Sequence, residues 1–171
     1  EKYDLENYNI SQTYSQISSY YINTNQPEKA LEALKKADAT AYSPTQKISV
    51  QLEYVNYYSK FGDMQAAEKI LNECKTAFDQ DKRLWSIKKR LYNIEYVYYL
   101  QSKQYPKALE AAKKQEAEEL NLSESIQNSV HYLTKGKIYS NMGNMSEAIK
   151  YLQMYIEAED SLKIANEQMA S

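Results

Sequence analysis

The sequence predicts an all-α protein: a right-handed superhelix of four helical hairpins, about eight helices in all. Three observations lead there. Only three Gly and three Pro occur in 171 residues, too few turn formers for an all-β chain with its many tight hairpins. Apolar residues recur at helical spacing, as in Ile10, Tyr14, Ile17 and Tyr21, or Val50, Tyr54, Tyr58 and Phe61. One block also returns four times. A Tyr precedes an Ala by nine residues at Tyr21/Ala30, Tyr58/Ala67, Tyr99/Ala108 and Tyr139/Ala148, and the alanines step by 37, 41 and 40.

Each block reads as a first helix, a short turn and a second helix. The units span residues 8–42, 44–79, 82–120 and 123–160 of a single domain, with a helical extension over 161–171. In the first unit Pro27 opens the second helix, where a missing N–H costs little, and Ala30, Leu31, Leu34 and Ala37 form its apolar face. The second unit starts at Ser43-Pro44, a cap followed by Pro at the first helical position. Gly62 supplies its left-handed turn residue, and Ala67, Ile70, Leu71 and Cys74 follow on one stripe. Asp79 or Asp81 caps the third unit, whose second helix carries Pro106, Ala108, Leu109 and Ala112. Asn121 or Ser123 caps the fourth, Gly143 turns it, and Ala148, Ile149, Leu152 and Tyr155 line its second helix. Gly136 lies inside a helix, three residues before Tyr139, where the missing side chain lets a neighbouring helix close in. Tyr155, Ala158, Leu162, Ala165 and Met169 step by 3, 4, 3 and 4. This seam serves either a helix that caps the fourth unit or a C-terminal helix that pairs with its twin in a homodimer.

Composition narrows the functions. Apolar residues make up 43% of the chain and 18 residues are Tyr, so the core is expected to hold rings whose hydroxyls need partners. With 21 Lys+Arg against 23 Asp+Glu the net charge is -2, which offers no basic footprint for nucleic acid. Mean hydropathy is -0.77 and no run is long enough for membrane insertion. The single cysteine, Cys74, cannot form an internal disulfide and leaves the compartment open. The chain starts at Glu1 without an initiator Met or signal peptide and stops inside an expected helix, so it reads as a piece of something longer.

A catalytic constellation is hard to assemble. His131 is the sole histidine, so neither a histidine pair for a metal nor a histidine dyad exists. Cys74 falls on a buried stripe, and the three Gly are too scattered for a phosphate loop. Glu116, Glu118 and Glu119, like Glu157, Glu159 and Asp160, lack calcium-loop spacing and read as solvated faces. The expectation is a non-enzyme without metal or cofactor.

The blocks resemble the tetratricopeptide repeat, a helix-turn-helix unit of 34 residues. Gly62-Asp63-Met64 and Gly143-Asn144-Met145-Ser146-Glu147-Ala148 match its turn closely, and Asn25-Gln26-Pro27-Glu28-Lys29-Ala30 matches fairly. Val55, Glu95, Tyr96, Lys103 and Lys135 depart from the pattern. The resemblance implies a solenoid whose first helices line a concave groove that receives a protein or peptide. Facing that groove are expected Gln12, Gln16, Ser19 and Asn23 in the first unit and Ser49, Glu53, Asn56 and Lys60 in the second. Arg90, Asn93, Val97 and Gln101 follow in the third, and Thr134, Lys137 and Asn141 in the fourth. Amides in such a row hydrogen-bond the main chain of a peptide. The Lys and Asn that clamp acidic chaperone tails in related repeats are replaced by Ser15, Ser19 and Glu53, with only Arg90 matching, opposite Ile94. The long Tyr-, Asn- and Lys-rich units and the stretch from Tyr155 to Leu162 also resemble the N-terminal repeat domains of membrane-bound bacterial regulators. That likeness implies a sensor domain on the periplasmic face of a signalling protein. The alternative is a free-standing cytoplasmic scaffold or cochaperone-like adaptor.

Overall fold

The computed structural model describes the backbone of residues 2–119 and 124–169, and the side chains of residues 10–118, 129–164 and 166–168. Eight α-helices and one 3₁₀ helix make up the described residues, with no strand among them. They are α1 (Lys2–Asn23), α2 (Pro27–Thr40), α3 (Pro44–Phe61), α4 (Met64–Gln80), the 3₁₀ helix (Lys82–Ile87), α5 (Lys88–Gln101), α6 (Tyr105–Glu119), α7 (Glu124–Asn141) and α8 (Met145–Met169). The fold is an all-α helical repeat of tetratricopeptide type. The chain forms two compact units, Glu1–Ser102 and Lys103–Ser171.

The repeat register holds at the backbone. Five residues before each marker alanine the chain turns left-handed, at Asn25 (φ 58°), Gly62 (φ 97°), Lys103 (φ 59°) and Gly143 (φ 74°). One residue later the second helix begins its hydrogen-bond ladder. Ala30, Ala67, Ala108 and Ala148 each donate their N–H at 3.0 Å to the carbonyl of Gln26, Asp63, Gln104 and Asn144. All four alanines are buried, which lets two helix backbones approach closely.

In the first unit α1 packs on α2, α3 on α4, and α3 also on α1, α2 and α5. Ser18 Oγ donates to the Ala30 carbonyl at 3.1 Å and Ser11 Oγ to that of Ala37 at 2.9 Å, so small hydroxyls fasten α1 to α2. Ser43 and Gln46 cap α3 reciprocally: Gln46 N–H donates to Ser43 Oγ at 3.2 Å and Ser43 N–H to Gln46 Oε1 at 3.1 Å. Asp63 caps α4 through the Ala66 N–H at 3.1 Å. Of the two expected caps for the third unit, Asp81 is the one used, but it opens a 3₁₀ helix rather than α5. The tighter winding, three residues per turn, sets Leu84 and Ile87 on one side, against a core of Leu52, Val55, Leu71, Cys74, Phe78, Leu91, Ile94 and Tyr98.

That core corrects the expectation of a tyrosine interior. Aliphatic side chains and alanines fill the buried centre, and Tyr98 is the tyrosine among them. The other described tyrosines sit half-buried at the rim, where a hydroxyl still reaches water, apart from Tyr20 and Tyr42, which are exposed. Tyr20–Tyr21, Tyr57–Tyr58 and Tyr98–Tyr99 each meet edge to face, with ring centroids 5.5, 5.3 and 5.3 Å apart.

In the second unit α7 packs on α6 and α8. A Cβ built on Gly136 would meet Leu152 Cγ and Cδ2 at 2.9 Å, so the glycine makes room for that leucine. Tyr139 of α7 stacks on Tyr151 of α8 at 5.5 Å. His131 and Ser129 are buried. Tyr155, Ala158 and Leu162 are half-buried, on the side of α8 that carries Ala148, Tyr151 and Leu152 to α7, so this half of the expected seam is used within the hairpin. The side chains of Ala165 and Met169, and the caps expected at Asn121 or Ser123, lie outside the described residues.

Candidate functional site

The expected row divides into residues that hold one another and residues that face water. Glu53, placed in the row as a groove-facing carboxylate, is instead buried at 3% exposure. Its Oε1 accepts from Ser19 Oγ of α1 at 2.6 Å and from Asn56 Nδ2 of its own helix at 3.1 Å, and its Oε2 accepts from Arg90 of α5 at 2.8 Å. A buried carboxylate needs such partners, and three helices supply them. Ser19, Glu53, Asn56 and Arg90 are thus brought together, as a clasp between the first helices rather than as open docking groups. Their opposite charges, one turn apart on successive first helices, were the signal for this pairing.

Around the clasp Gln12, Gln16, Asn23, Lys60, Asn93 and Gln101 are exposed, and Ser49 and Val97 are half-buried. A small hollow opens beside it between α1, α3 and the start of α5. It is lined by Ser11, Gln12, Ser15, Thr45, Gln46, Ser49, Ile87 and Arg90 and encloses about 120 Å³. That is well under the roughly 300–1,000 Å³ of a small-molecule site and suits a single inserted side chain. Gln46, Thr45 and Ile87 fell outside the sequence reading because a cap and a 3₁₀ turn, not the helical row, bring them there. On the second unit Lys137 and Asn141 are exposed and Thr134 half-buried, and Asn141 Nδ2 donates to the Lys137 carbonyl at 2.9 Å.

The nucleophile inventory stays structural. Cys74 is buried in the core, and burial first, then the charge of Glu73, pushes its thiol up to about 12, so it stays protonated at neutral pH. Glu116, expected on a solvated face, is bound by Lys135 of α7 at 2.5 Å. Among the described residues no three His, Cys, Asp or Glu side chains gather as a metal would require, and no helix is long and apolar enough to cross a membrane. Trp85, which the sequence reading passed over, stands out from the 3₁₀ helix with the Lys82 and Lys88 ammonium groups 5.8 and 5.7 Å from its ring.

Paired helices, buried marker alanines and a polar first-helix face define a helical-repeat protein of the protein-interaction class. A tetratricopeptide-repeat model matches residues 132–161. The chain belongs to the family described as 26S proteasome subunit RPN7, whose model matches residues 1–114. No curated protein and no solved structure matches it. Neither family match bears on the likeness to bacterial regulators.

Proposed function

We propose that the chain is a non-catalytic protein-binding module that holds a partner polypeptide on the first-helix face of its first unit, as one subunit of a larger assembly. The observation that carries this reading is the charge-neutralised clasp ringed by exposed amides. Arg90 is occupied by Glu53, so the face offers hydrogen bonds to a peptide main chain instead of a charge for an acidic tail. The hollow beside it takes one side chain of the incoming segment. Membership of a family named for a proteasome subunit supports a place in a multi-subunit complex. The sensor role in a signalling regulator draws no support from either family match.

The test is affinity capture from the source cell with the chain and with a Gln12→Ala/Gln16→Ala/Asn93→Ala variant. These side chains are exposed, so the variant keeps its fold. A partner held by the parent chain and released by the variant is the expected result. A partner retained equally by both would remove this face from consideration.

A further inference from the structure

The hollow beside the clasp is walled by hydrogen-bonding groups that the first unit leaves unused. On α1, Ser11 and Ser18 give their hydroxyls to the carbonyls of Ala37 and Ala30, but Ser15 between them, 4% exposed, has no hydrogen-bond partner among the described residues. Its oxygen is not sealed in. Among the described residues the enclosed side-chain oxygen without a partner is Ser59 Oγ, so Ser15 Oγ has an opening, and the opening that Ser15 lines is this hollow. Thr45 and Ser49 of α3, half-buried and also lining it, likewise leave their hydroxyls unpaired. Arg90 gives one N–H of its guanidinium to Glu53 and holds no second partner, which leaves the rest of its donor fork beside the hollow.

These groups select the chemistry of what enters. An apolar side chain would strip water from Ser15 and Arg90 and return no hydrogen bond to either. A carboxylate offers acceptors alone and brings a second negative charge toward Glu53, which already neutralises Arg90. An ammonium has donors alone and meets the guanidinium. A carboxamide carries both: its oxygen accepts from Arg90, and its NH₂ donates to hydroxyls, which accept as readily as they give. Size agrees. The hollow encloses about 120 Å³, the room of about four water molecules at roughly 30 Å³ each, close to one carboxamide with its methylene stem, and Ile87 supplies an apolar wall for that stem.

We infer that the hollow is a binding site for a carboxamide side chain, glutamine or asparagine, of the partner polypeptide, with Arg90 bonding its oxygen and the unpaired Ser15 hydroxyl accepting from its nitrogen. The inference rests on the reading of this face as one that holds a polypeptide, and it adds which residue of the segment is read. Main-chain bonds to the exposed amides suit any sequence. The hollow discriminates, because a segment without the amide leaves polar groups of the site unpaired.

Single blocked amino acids test this on the whole chain by NMR. N-acetylated, methylamidated glutamine or asparagine, titrated into isotope-labelled protein, should shift the backbone amides of Ser15, Ser49 and Arg90 saturably. Blocked glutamate and blocked alanine should bind about tenfold more weakly, the loss of one or two hydrogen bonds. Ser15→Ala should weaken the amide probes by a similar factor yet leave the thermal midpoint unchanged or higher, because the hydroxyl bonds nothing in the free protein. No saturable shift from either amide, or shifts that leave Ser15, Ser49 and Arg90 unmoved, overturn the inference. So does blocked glutamate binding as tightly as glutamine, the mark of an acid site on Arg90, or a Ser15→Ala variant that melts earlier, the mark of a hydroxyl that serves the fold. Failure of the probes leaves the capture experiment standing, and a capture unaltered by the exposed-amide variant leaves the probe result standing, so the two readings fail separately.

Discussion

Glu53 ties three helices through three hydrogen bonds to one buried carboxylate, and it differs in exposure from its charged partner Arg90. The Glu53 side chain is 3% exposed and the Arg90 side chain 34%. Removing the arginine therefore leaves a charge inside the protein, whereas neutralising the glutamate leaves a guanidinium that water can reach. Leaving a buried charge without its partner costs about 3 kcal/mol or more, while a half-exposed charge left behind recovers much of its hydration. We expect Arg90→Ala to lower stability by about 3 kcal/mol and Glu53→Gln by about 1 kcal/mol, because glutamine still accepts from Ser19. Urea midpoints of the two variants measure the difference. Equal losses would mean that the carboxylate is already well solvated without Arg90.

The turns between paired helices share one backbone conformation but not one residue. Gly62 and Gly143 adopt a positive φ without strain, whereas Lys103 holds φ 59° with a side chain that crowds its own carbonyl. Left-handed backbone costs a residue other than glycine roughly 1–2 kcal/mol, and glycine loses about 0.5–1 kcal/mol of that advantage to its freer unfolded chain. Lys103→Gly should therefore raise stability by roughly 0.5–1 kcal/mol, read from the thermal or urea transition. The reverse kind of change, Gly62→Ala, should lower it. The turn register was legible in the sequence because alanine and the residue five before it keep fixed places in all four units, whatever fills the turn. The face of each helix was legible less fully. Apolar periodicity places Leu52 and Leu71 inward, but it carries no information on whether Glu53 meets solvent or Arg90, which lies 37 residues away. The 3₁₀ start of the third unit was equally hidden, since Leu84 and Ile87 fit either winding and the core decides between them. Along α8 the heptad spacing of Tyr155, Ala158 and Leu162 could not say which neighbour it serves, and α7 takes it.

Among the described residues, Cys74, Tyr54, Tyr57 and Lys75 of the first unit gain proton affinity on folding, and they bear on how that unit answers alkali. Burial and the charge of Glu73 raise the Cys74 thiol from 9.0 to about 12. Burial likewise raises the Tyr54 and Tyr57 hydroxyls. At Lys75 burial pulls the ammonium down, but the hydrogen bond and charge of Glu95, with Tyr99 behind them, outweigh it and leave it raised. In each case the folded state keeps a proton that the unfolded chain releases earlier, so the stabilisation is whole below the unfolded value and drains away as pH climbs through the folded one. For Cys74 that window runs from about pH 9 to about pH 12, with a slope on the order of 1.4 kcal/mol per pH unit. Trp85 is the sole tryptophan and stands in the first unit, so its fluorescence follows that unit alone. We expect its urea midpoint to fall steadily from pH 9 upward. In Cys74→Ala, which deletes the thiol, the fall should begin nearer pH 10, where the tyrosines and Lys75 start to titrate. A midpoint flat to pH 11, or a Cys74→Ala profile parallel to the parent's, would show the thiol in contact with water and the core around Leu71 and Phe78 looser than its packing requires.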